Sequence, residues 1–425
     1  MVTRKSSSLL SLQRVGALTA LIIGIYQLKP VVEKRVTRAE YEPKYKGIAD
    51  AYHEILQKEN QGSTVAILHH GKLVFDMQGG WADIEAGREW SEDIMTVSYS
   101  CTKLIGALSI ATLVSRGHLD YHEKVTKYWP EFGQHGKENV TVDQLVNHQA
   151  GLITFGKDFT LAEAKDDLYI SRLIEESRPH WKPGQHIGYH ALTYGFLLDQ
   201  LFQRADPLKR NIAQFYEEEV RTNSENGDFY LGLPRELLHR KARISPTLLS
   251  QTLLNFATHP SLTMSVIGQN VRHGGLAFLS ADSPRFMSVI RTDMLPYNNI
   301  DVLELPSISA LGIGTAAGFA HVVRQFWIGQ VIPETFWKGL EGPELHGMDI
   351  VLGLERHMNH GFYYRPIDGT DKYTIGFTGN GGQFIDIDKG RDLIIVFLCN
   401  GLQGGLGSSQ YEQLRQKILE VLDSE

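Results

Sequence analysis

Cysteine is scarce in this sequence, with two residues, Cys101 and Cys399, among 425. Two cysteines allow one disulfide but cannot build the framework of a disulfide-stapled fold. Cys399 belongs to the segment LIIVFLCNG, which has the pattern of a buried strand, so we favour a buried free thiol there. On a helix, Cys101 would point about 100° away from Ser100, and we interpret it as a packing residue.

Metal-binding signatures are missing as well. The sequence contains no CxxC, HExxH or HxHxDH pattern. His118 and His122 are four residues apart and His357 and His360 three apart, but neither pair has a cluster of carboxylates or cysteines beside it. We therefore predict neither a metal site nor another cofactor.

Positive charge is not in excess. The 42 lysines and arginines are outnumbered by 49 acidic residues, and the formal net charge is −7. A nucleic-acid partner would require a basic face or stripe, and no long basic run occurs, so we predict no nucleic-acid binding. A hydrophobic content of 42% is that of a soluble globular chain with a sizeable core.

Acidic residues are absent from the N-terminus, where Glu33 is the first. Basic residues precede an apolar run at 15–28, which is shorter than the roughly 20 residues of a membrane span. No clear small-x-small cleavage site follows it. We predict that residues 1–36 form a targeting or anchor segment, with membrane association through 9–28. A membrane or secretory address and a mitochondrial address both remain open.

Strand patterns lie near both ends of the chain and helical patterns fill the middle. Residues 64–83 predict two strands joined by a His-Gly-Lys turn, and residues 383–399 predict a hairpin with a central, nearly all-apolar second strand. A closing helix is predicted at 411–423. The pattern predicts an α/β (α+β) domain over 37–425, with a large helical lobe at about 100–333 inserted between its strands.

The segment SYSCTKLIG places Ser100 and Lys103 three residues apart, on one face of a predicted helix. A serine hydroxyl needs a base to act as a nucleophile, and lysine can serve only if its pKa is depressed. The alternative is that Ser98 or Ser100 caps the helix and Lys103 faces solvent. The apolar run LIGALSIATLV favours a buried lysine instead, which is costly without a purpose.

Two further segments carry candidate groups. Tyr189 follows the turn WKPGQ and stands before a long helix, where a phenol could relay a proton or could be an ordinary core residue. The segment GFTGNGGQFIDID, residues 376–388, has small residues that let a strand edge approach a ligand, or it is a glycine-rich entry to a hairpin. A backbone N–H near Asn380 could complete an oxyanion hole.

The order of these segments, a serine-x-x-lysine, a tyrosine after a Pro-Gly turn and a Thr-Gly strand near the C-terminus, resembles the serine β-lactamase and penicillin-binding-protein superfamily. The most similar branch is the class C β-lactamase and esterase group, which includes β-lactamase-domain proteins of animals. LVNHQAGL, DFYLGLP and GTAAGFAHVVRQF resemble landmarks of that branch. The resemblance covers about Tyr45 to Val421. It implies a β-lactamase/transpeptidase-like fold, with an antiparallel sheet flanked by helices.

The resemblance also implies roles for individual residues. Ser100 would be the acylated nucleophile, Lys103 its general base and Tyr189 a proton shuttle, with oxyanion donors in the N–H groups of Ser100 and Asn380. The implied substrate-binding residues are Phe377, Thr378, Gly379 and Asn380. The implied reaction is two-step acyl transfer through an acyl-enzyme on a small-molecule ester or peptide. His148 and His190 we interpret as structural hydrogen-bonding groups.

Two positions depart from the family pattern. Phe377 stands where the family has lysine or often histidine, and Ala191 stands where it has the asparagine of Tyr-x-Asn. Their loss argues against efficient β-lactam hydrolysis. The sequence therefore predicts a serine hydrolase, either an esterase or peptidase-like. The alternative is a catalytically weak or inactive scaffold that self-assembles on this fold, and a homo-oligomer is kept open.

Overall fold

The computed structural model describes residues 34–59, 61–157, 159–246, 296–327, 331–403 and 409–423. The apolar run at 9–28, and with it the predicted membrane segment, lies outside these residues. Among the helices that are described, none combines the length and the apolar character needed to cross a bilayer.

Most strands belong to one large antiparallel sheet. The strands are β1 (Val36–Tyr41), β2 (Gly62–His69), β3 (Lys72–Asp83), β4 (Arg88–Glu89), β5 (Thr96–Val97), β6 (Phe229–Leu231), β7 (Gly312–Gly314), β8 (Leu345–Asp349), β9 (Leu354–Asn359), β10 (Phe362–Pro366), β11 (Tyr373–Gly379), β12 (Gln383–Asp388) and β13 (Leu393–Cys399). The large sheet has the order β1-β3-β2-β13-β12-β11-β10-β9-β8, with β4 added beside β3. The predicted strands at 64–83 and the predicted hairpin at 383–399 are confirmed.

Helices cover both faces of this sheet. They are α1 (Lys46–Lys58), α2 (Lys103–Ser115), α3 (Val125–Tyr128), α4 (Val142–Val146), α5 (Leu161–Ala164), α6 (Asp167–Glu176), α7 (Thr193–Ala205), α8 (Ile212–Phe215), α9 (Ile300–Leu303), α10 (Ala316–Trp327), α11 (Glu334–Trp337) and α12 (Ser409–Asp423). The terminal helices α1 and α12 pack together, and α10 contacts β2 and β13. The predicted closing helix is confirmed as α12.

The central strand β13 shows why the sheet is buried on both faces. All seven of its residues are buried, and successive side chains alternate between the two sides. Ile395 and Phe397 join the core that contains residues of α1 and α12, whereas Ile394 and Val396 join the larger core of the lobe. An apolar run without polar alternation is what a strand in this position requires.

The described residues between β4 and β8 contain helices α2 to α11 and form the lobe that is inserted between the strands of the large sheet. The predicted fold class, an antiparallel sheet flanked by helices, is confirmed. The lobe also contains a small sheet of order β5-β7-β6 that was not predicted, because strands of two or three residues carry no readable alternation. The strands β8 to β10 were not predicted either. Residues 247–295 of the predicted lobe lie outside the described chain.

Candidate active site

Ser100 lies in a 3-10 turn, Tyr99–Thr102, and the helix α2 begins only at Lys103. The helix predicted for this segment therefore does not include Ser100. Tyr99 has a φ of +48°, in the left-handed region, which tightens the chain immediately before the serine. Side chains three residues apart eclipse each other in 3-10 geometry, so Ser100 and Lys103 still share a face.

The turn Tyr99–Thr102, called the nucleophile turn after the role that the sequence predicts for Ser100, is held by the small sheet. The Ser98 backbone N–H donates to the carbonyl oxygen of Gly312 at 2.8 Å, and its hydroxyl donates to the same oxygen at 3.0 Å. In return, the Gly312 N–H donates to Thr102 Oγ1 at 2.9 Å. Ser98 makes no side-chain cap bond to the helix, so the capping alternative does not describe this turn.

Lys103 is completely buried at the start of α2. Its Nζ lies 2.8 Å from the carbonyl oxygens of both Ala191 and Ser309, and 3.4 Å from Ser100 Oγ. Burial lowers the pKa of Lys103 well below its usual value. A neutral amine has two N–H donors, which match the two carbonyls, and a lone pair left to accept the Ser100 proton.

The same site also fits the protonated amine. An ammonium group has three N–H donors, and Ala191, Ser309 and Ser100 offer three acceptors. Lys103 can thus take up a proton without rearranging its partners, which is a property that a general base requires.

Tyr189 completes the group around the serine. Its hydroxyl donates to Ser100 Oγ at 2.6 Å, and its ring centre lies 4.8 Å from Lys103 Nζ. Burial raises the pKa of Tyr189, so the phenol holds its proton at neutral pH. Ser100 Oγ therefore sits between a phenol that donates and an amine that can accept.

The strand β11 passes directly beside the nucleophile turn. Cys101 Sγ donates to the Phe377 carbonyl oxygen at 3.3 Å, and Cys101 is buried, in agreement with a packing role. A Cβ atom added to Gly379 would collide with the carbonyl oxygen of Ser98. Glycine therefore permits this close approach.

The predicted substrate-binding residues differ in how deeply they are buried. Thr378 and Gly379 are half-buried and Asn380 is exposed, whereas Phe377 is only 6% exposed. The Phe377 ring packs edge-on against Tyr363, with the ring centres 4.4 Å apart. Phe377 is thus a core residue. The backbone N–H groups of Ser100 and Asn380 donate no hydrogen bond to another described residue.

Replacing Gly379 with alanine is expected to separate β11 from the nucleophile turn. The added methyl group must displace the Ser98 carbonyl or the strand, at a cost of about 1–3 kcal/mol in the free energy of unfolding. The rate of Ser100 acylation is expected to fall with it. Thermal denaturation and probe-labelling rates would measure both. Gly369→Ala is a control, because an added Cβ there meets no atom within 4 Å, although its φ is +74°. Full activity in Gly379→Ala would contradict the prediction.

His148 and His190 make buried hydrogen bonds behind Tyr189, as predicted for them. The His190 backbone N–H donates to His148 Nδ1 at 3.1 Å, and His190 Nε2 accepts from the Leu152 N–H at 2.9 Å. Burial lowers the pKa of His190 to about 3 and that of His148 well below its usual value. Both rings are therefore neutral.

No group of three or more His, Cys, Asp or Glu able to hold a metal occurs within the described ranges. His357 pairs with His346 across β8 and β9, with 2.8 Å between their Nδ1 atoms. His360 lies 2.7 Å from Asp143 Oδ1 and stacks on Tyr121.

Sequence reasoning missed the groups that surround the predicted site residues. Two of them, Ala191 and Ser309, act through backbone carbonyls, which leave no side-chain signature. Asp349 and Arg356 also lie beside Tyr189, and they belong to β8 and β9, which the sequence did not predict.

The chain belongs to the Beta-lactamase family, whose family model matches residues 46–417. The esterase/beta-lactamase LipL of Mycobacterium tuberculosis is 32% identical over 176 residues, covering 41% of this chain and 39% of that protein. Esterase EstB of Burkholderia gladioli is 38% identical over 95 residues, covering 21% and 24%. The matches thus span well under half the length of these relatives.

The fold is shared with solved structures over almost the whole chain. The crystal structure of a family VIII carboxylesterase superposes with a TM-score of 0.75 at 23% identity, covering 91% of this chain and 100% of that chain. The fold of this chain is therefore also the fold of that carboxylesterase structure.

Proposed function

We propose that the protein is a serine hydrolase that forms an acyl-enzyme on Ser100. The observation that carries the proposal is the position of Ser100 Oγ, 2.6 Å from the Tyr189 hydroxyl and 3.4 Å from a buried lysine nitrogen. Desolvation leaves Lys103 able to be neutral, and no ion pair with a carboxylate of the described chain opposes this. A lysine used only for packing would have no need of a serine at this distance.

In the proposed acylation step, Ser100 Oγ attacks the substrate carbonyl carbon while its proton passes to Lys103 Nζ. The N–H groups of Ser100 and Asn380 donate to the developing oxyanion. The carbonyl bond to the leaving group then breaks, and the leaving group takes the Tyr189 proton, which Lys103 replaces. Water hydrolyses the acyl-enzyme by the reverse sequence of proton transfers, which regenerates Ser100.

We propose that the substrate is a small-molecule ester, with a peptide as the alternative. The relatives LipL and EstB are both named esterases, and LipL is also named a β-lactamase. Ala191 offers no side-chain amide, and Phe377 is buried and uncharged. A β-lactam would therefore lack the groups that orient its amide and its carboxylate, and we expect inefficient hydrolysis of it.

Intact-mass analysis after labelling with a fluorophosphonate probe tests the proposal. One adduct per chain is expected on the wild type, and none on Ser100→Ala. Ser115→Ala is the matched control, because the Ser115 hydroxyl donates to the Thr112 carbonyl oxygen at the far end of α2. Short-chain nitrophenyl esters are assayed in parallel. A folded wild type without an adduct would reject the hydrolase and favour the inactive scaffold.

A further inference from the structure

Asp349, the last residue of β8, holds the backbone of Tyr189. It is completely buried at the end of β8, and its Oδ1 accepts from the Tyr189 N–H at 3.1 Å. The same oxygen accepts from the N–H groups of Val351 at 2.9 Å and Leu352 at 3.1 Å. One carboxylate oxygen thus ties Tyr189 to the turn between β8 and β9.

Arg356 projects from β9 onto the other oxygen of this carboxylate. Its Nε lies 3.5 Å from Asp349 Oδ2, and its side chain is 17% exposed. The guanidinium carbon lies 4.7 Å from the ring centre of Tyr363 and 5.9 Å from that of Tyr189. A guanidinium stays charged at all physiological pH values, so a permanent cation stands beside the phenol.

The ring of Tyr363 connects this cation with the uncharged Phe377. Tyr363 contacts the guanidinium of Arg356 and packs edge-on against Phe377. Arg356 therefore lies one aromatic ring away from the position that lacks a charged side chain. A cation this near a phenol favours the deprotonated form of the acidic groups around it.

We propose that Arg356, oriented by Asp349, is a positioning residue that supplies to Tyr189 the positive charge that Phe377 does not. This inference rests on the proposed function, since it concerns the proton that Ser100 must lose. In the active form, Lys103 and Tyr189 share one proton. In the competing form, both groups are protonated, and the charge on Arg356 stabilises the active form relative to it.

Several titratable or charged groups face Tyr189, and most of them are neutral. The groups are Lys103 from α2, Cys101 from the nucleophile turn, His148 after α4, Tyr194 from α7, Asp349 from β8, Arg356 from β9 and Tyr363 from β10. Burial raises the pKa values of Cys101, Tyr194 and Tyr363 and lowers that of His148. Among the described residues that face Tyr189, Arg356 is therefore the fixed cation, and Asp349 is the carboxylate that opposes it.

The test is the pH dependence of probe acylation in Arg356→Gln and Arg356→Lys. The acid-limb midpoint of the wild type is expected to rise by about one pH unit in the glutamine variant, because the cation 5.9 Å from the ring centre of Tyr189 is removed. The lysine variant keeps the charge and is expected to restore the wild-type midpoint. If the glutamine variant does not fold, Arg356→Met, which keeps an apolar stem over Tyr363, takes its place.

Arg210→Gln is the matched control for structural damage. It breaks another largely buried arginine pair, in which Arg210 Nε donates to Asp206 Oδ2 at 3.0 Å, and it should leave the midpoint unchanged. Normal acylation of Arg356→Gln with an unmoved midpoint, or a shift that Arg356→Lys fails to reverse, overturns this inference alone. A folded wild type that never acylates overturns the proposed function and this inference together.

Discussion

Lys103→Met is expected to lower the rate of Ser100 acylation by roughly 10³-fold or more, while the protein still folds. Methionine keeps the length and the apolar stem of lysine but has no lone pair that can take the serine proton. The buried site admits no substitute base from solvent, because Lys103 is 0% exposed. Probe-labelling rates, followed by intact mass at matched protein concentration, would measure the loss.

Lys137→Met supplies the control for removing any buried lysine. Lys137 is also completely buried, and its Nζ donates to the carbonyls of Glu175 at 2.9 Å and Ser177 at 2.6 Å. Burial lowers its pKa to about 8. Two backbone acceptors thus surround each lysine, but Lys103 also lies 3.4 Å from a serine hydroxyl oxygen, that of Ser100. Equal losses of acylation in both variants would attribute the effect to packing and reject Lys103 as the base.

The pH dependence of stability provides a second measurement on Lys103→Met. In the unfolded chain, lysine keeps its proton up to about pH 10, whereas burial lowers the pKa of folded Lys103. The unfolded state therefore binds more protons between these two pKa values, and wild-type stability rises with pH across that window. The variant lacks this contribution. The free energy of unfolding of the wild type should therefore rise relative to that of the variant, by at most about 1.4 kcal/mol per pH unit, up to about pH 10.

Chemical denaturation at several pH values would detect this slope. The absolute offset between the two proteins also includes the donors that Ala191 and Ser309 lose, so its sign is not diagnostic. Parallel stability curves from neutral pH to pH 10 would mean that folded Lys103 remains protonated, and Lys103 would then not be the base.

Local signals explain how much of the fold could be predicted. The turn after β2 contains Gly71 with a φ of +73°, and Thr141 forms a capping box with Gln144 at the start of α4. Each depends on residues within four positions of each other, so the sequence displays it directly. The three-residue spacing of Ser100 and Lys103 is also a local signal. Their side chains are in contact even though the turn is 3-10 instead of α-helical.

Long-range pairings explain what could not be predicted. The strand β7 meets β5 and β6 across separations of 81 to more than 200 residues, and its Gly312 then anchors the nucleophile turn. Residues 191 and 309 lie 88 and 206 positions from Lys103 along the chain, and they contact it through carbonyl oxygens that every residue possesses. Such partners are set by topology, and no composition or spacing reports them.

Tyr189→Phe is expected to lower kcat for an alkyl ester by roughly 10²- to 10³-fold, with a much smaller change in KM. The substitution removes only the hydroxyl that donates to Ser100 Oγ at 2.6 Å, and the backbone bond to Asp349 is unaffected. An alkoxide leaving group needs a proton as its bond to carbon breaks, and Tyr189 is the donor in reach. Steady-state kinetics on alkyl and nitrophenyl esters of one acid would measure the loss.

Tyr363→Phe is the matched control, since the buried Tyr363 hydroxyl has no hydrogen-bond partner in the described chain, and its removal should leave kcat unchanged. The comparison between esters then separates two roles of Tyr189. A nitrophenolate leaves without protonation, so a tyrosine that serves only the leaving group would be dispensable for the nitrophenyl ester. A tyrosine that also relays the Ser100 proton would be needed for both esters. Unchanged kcat on both esters would remove Tyr189 from the mechanism, and Lys103 would then have to carry both proton transfers.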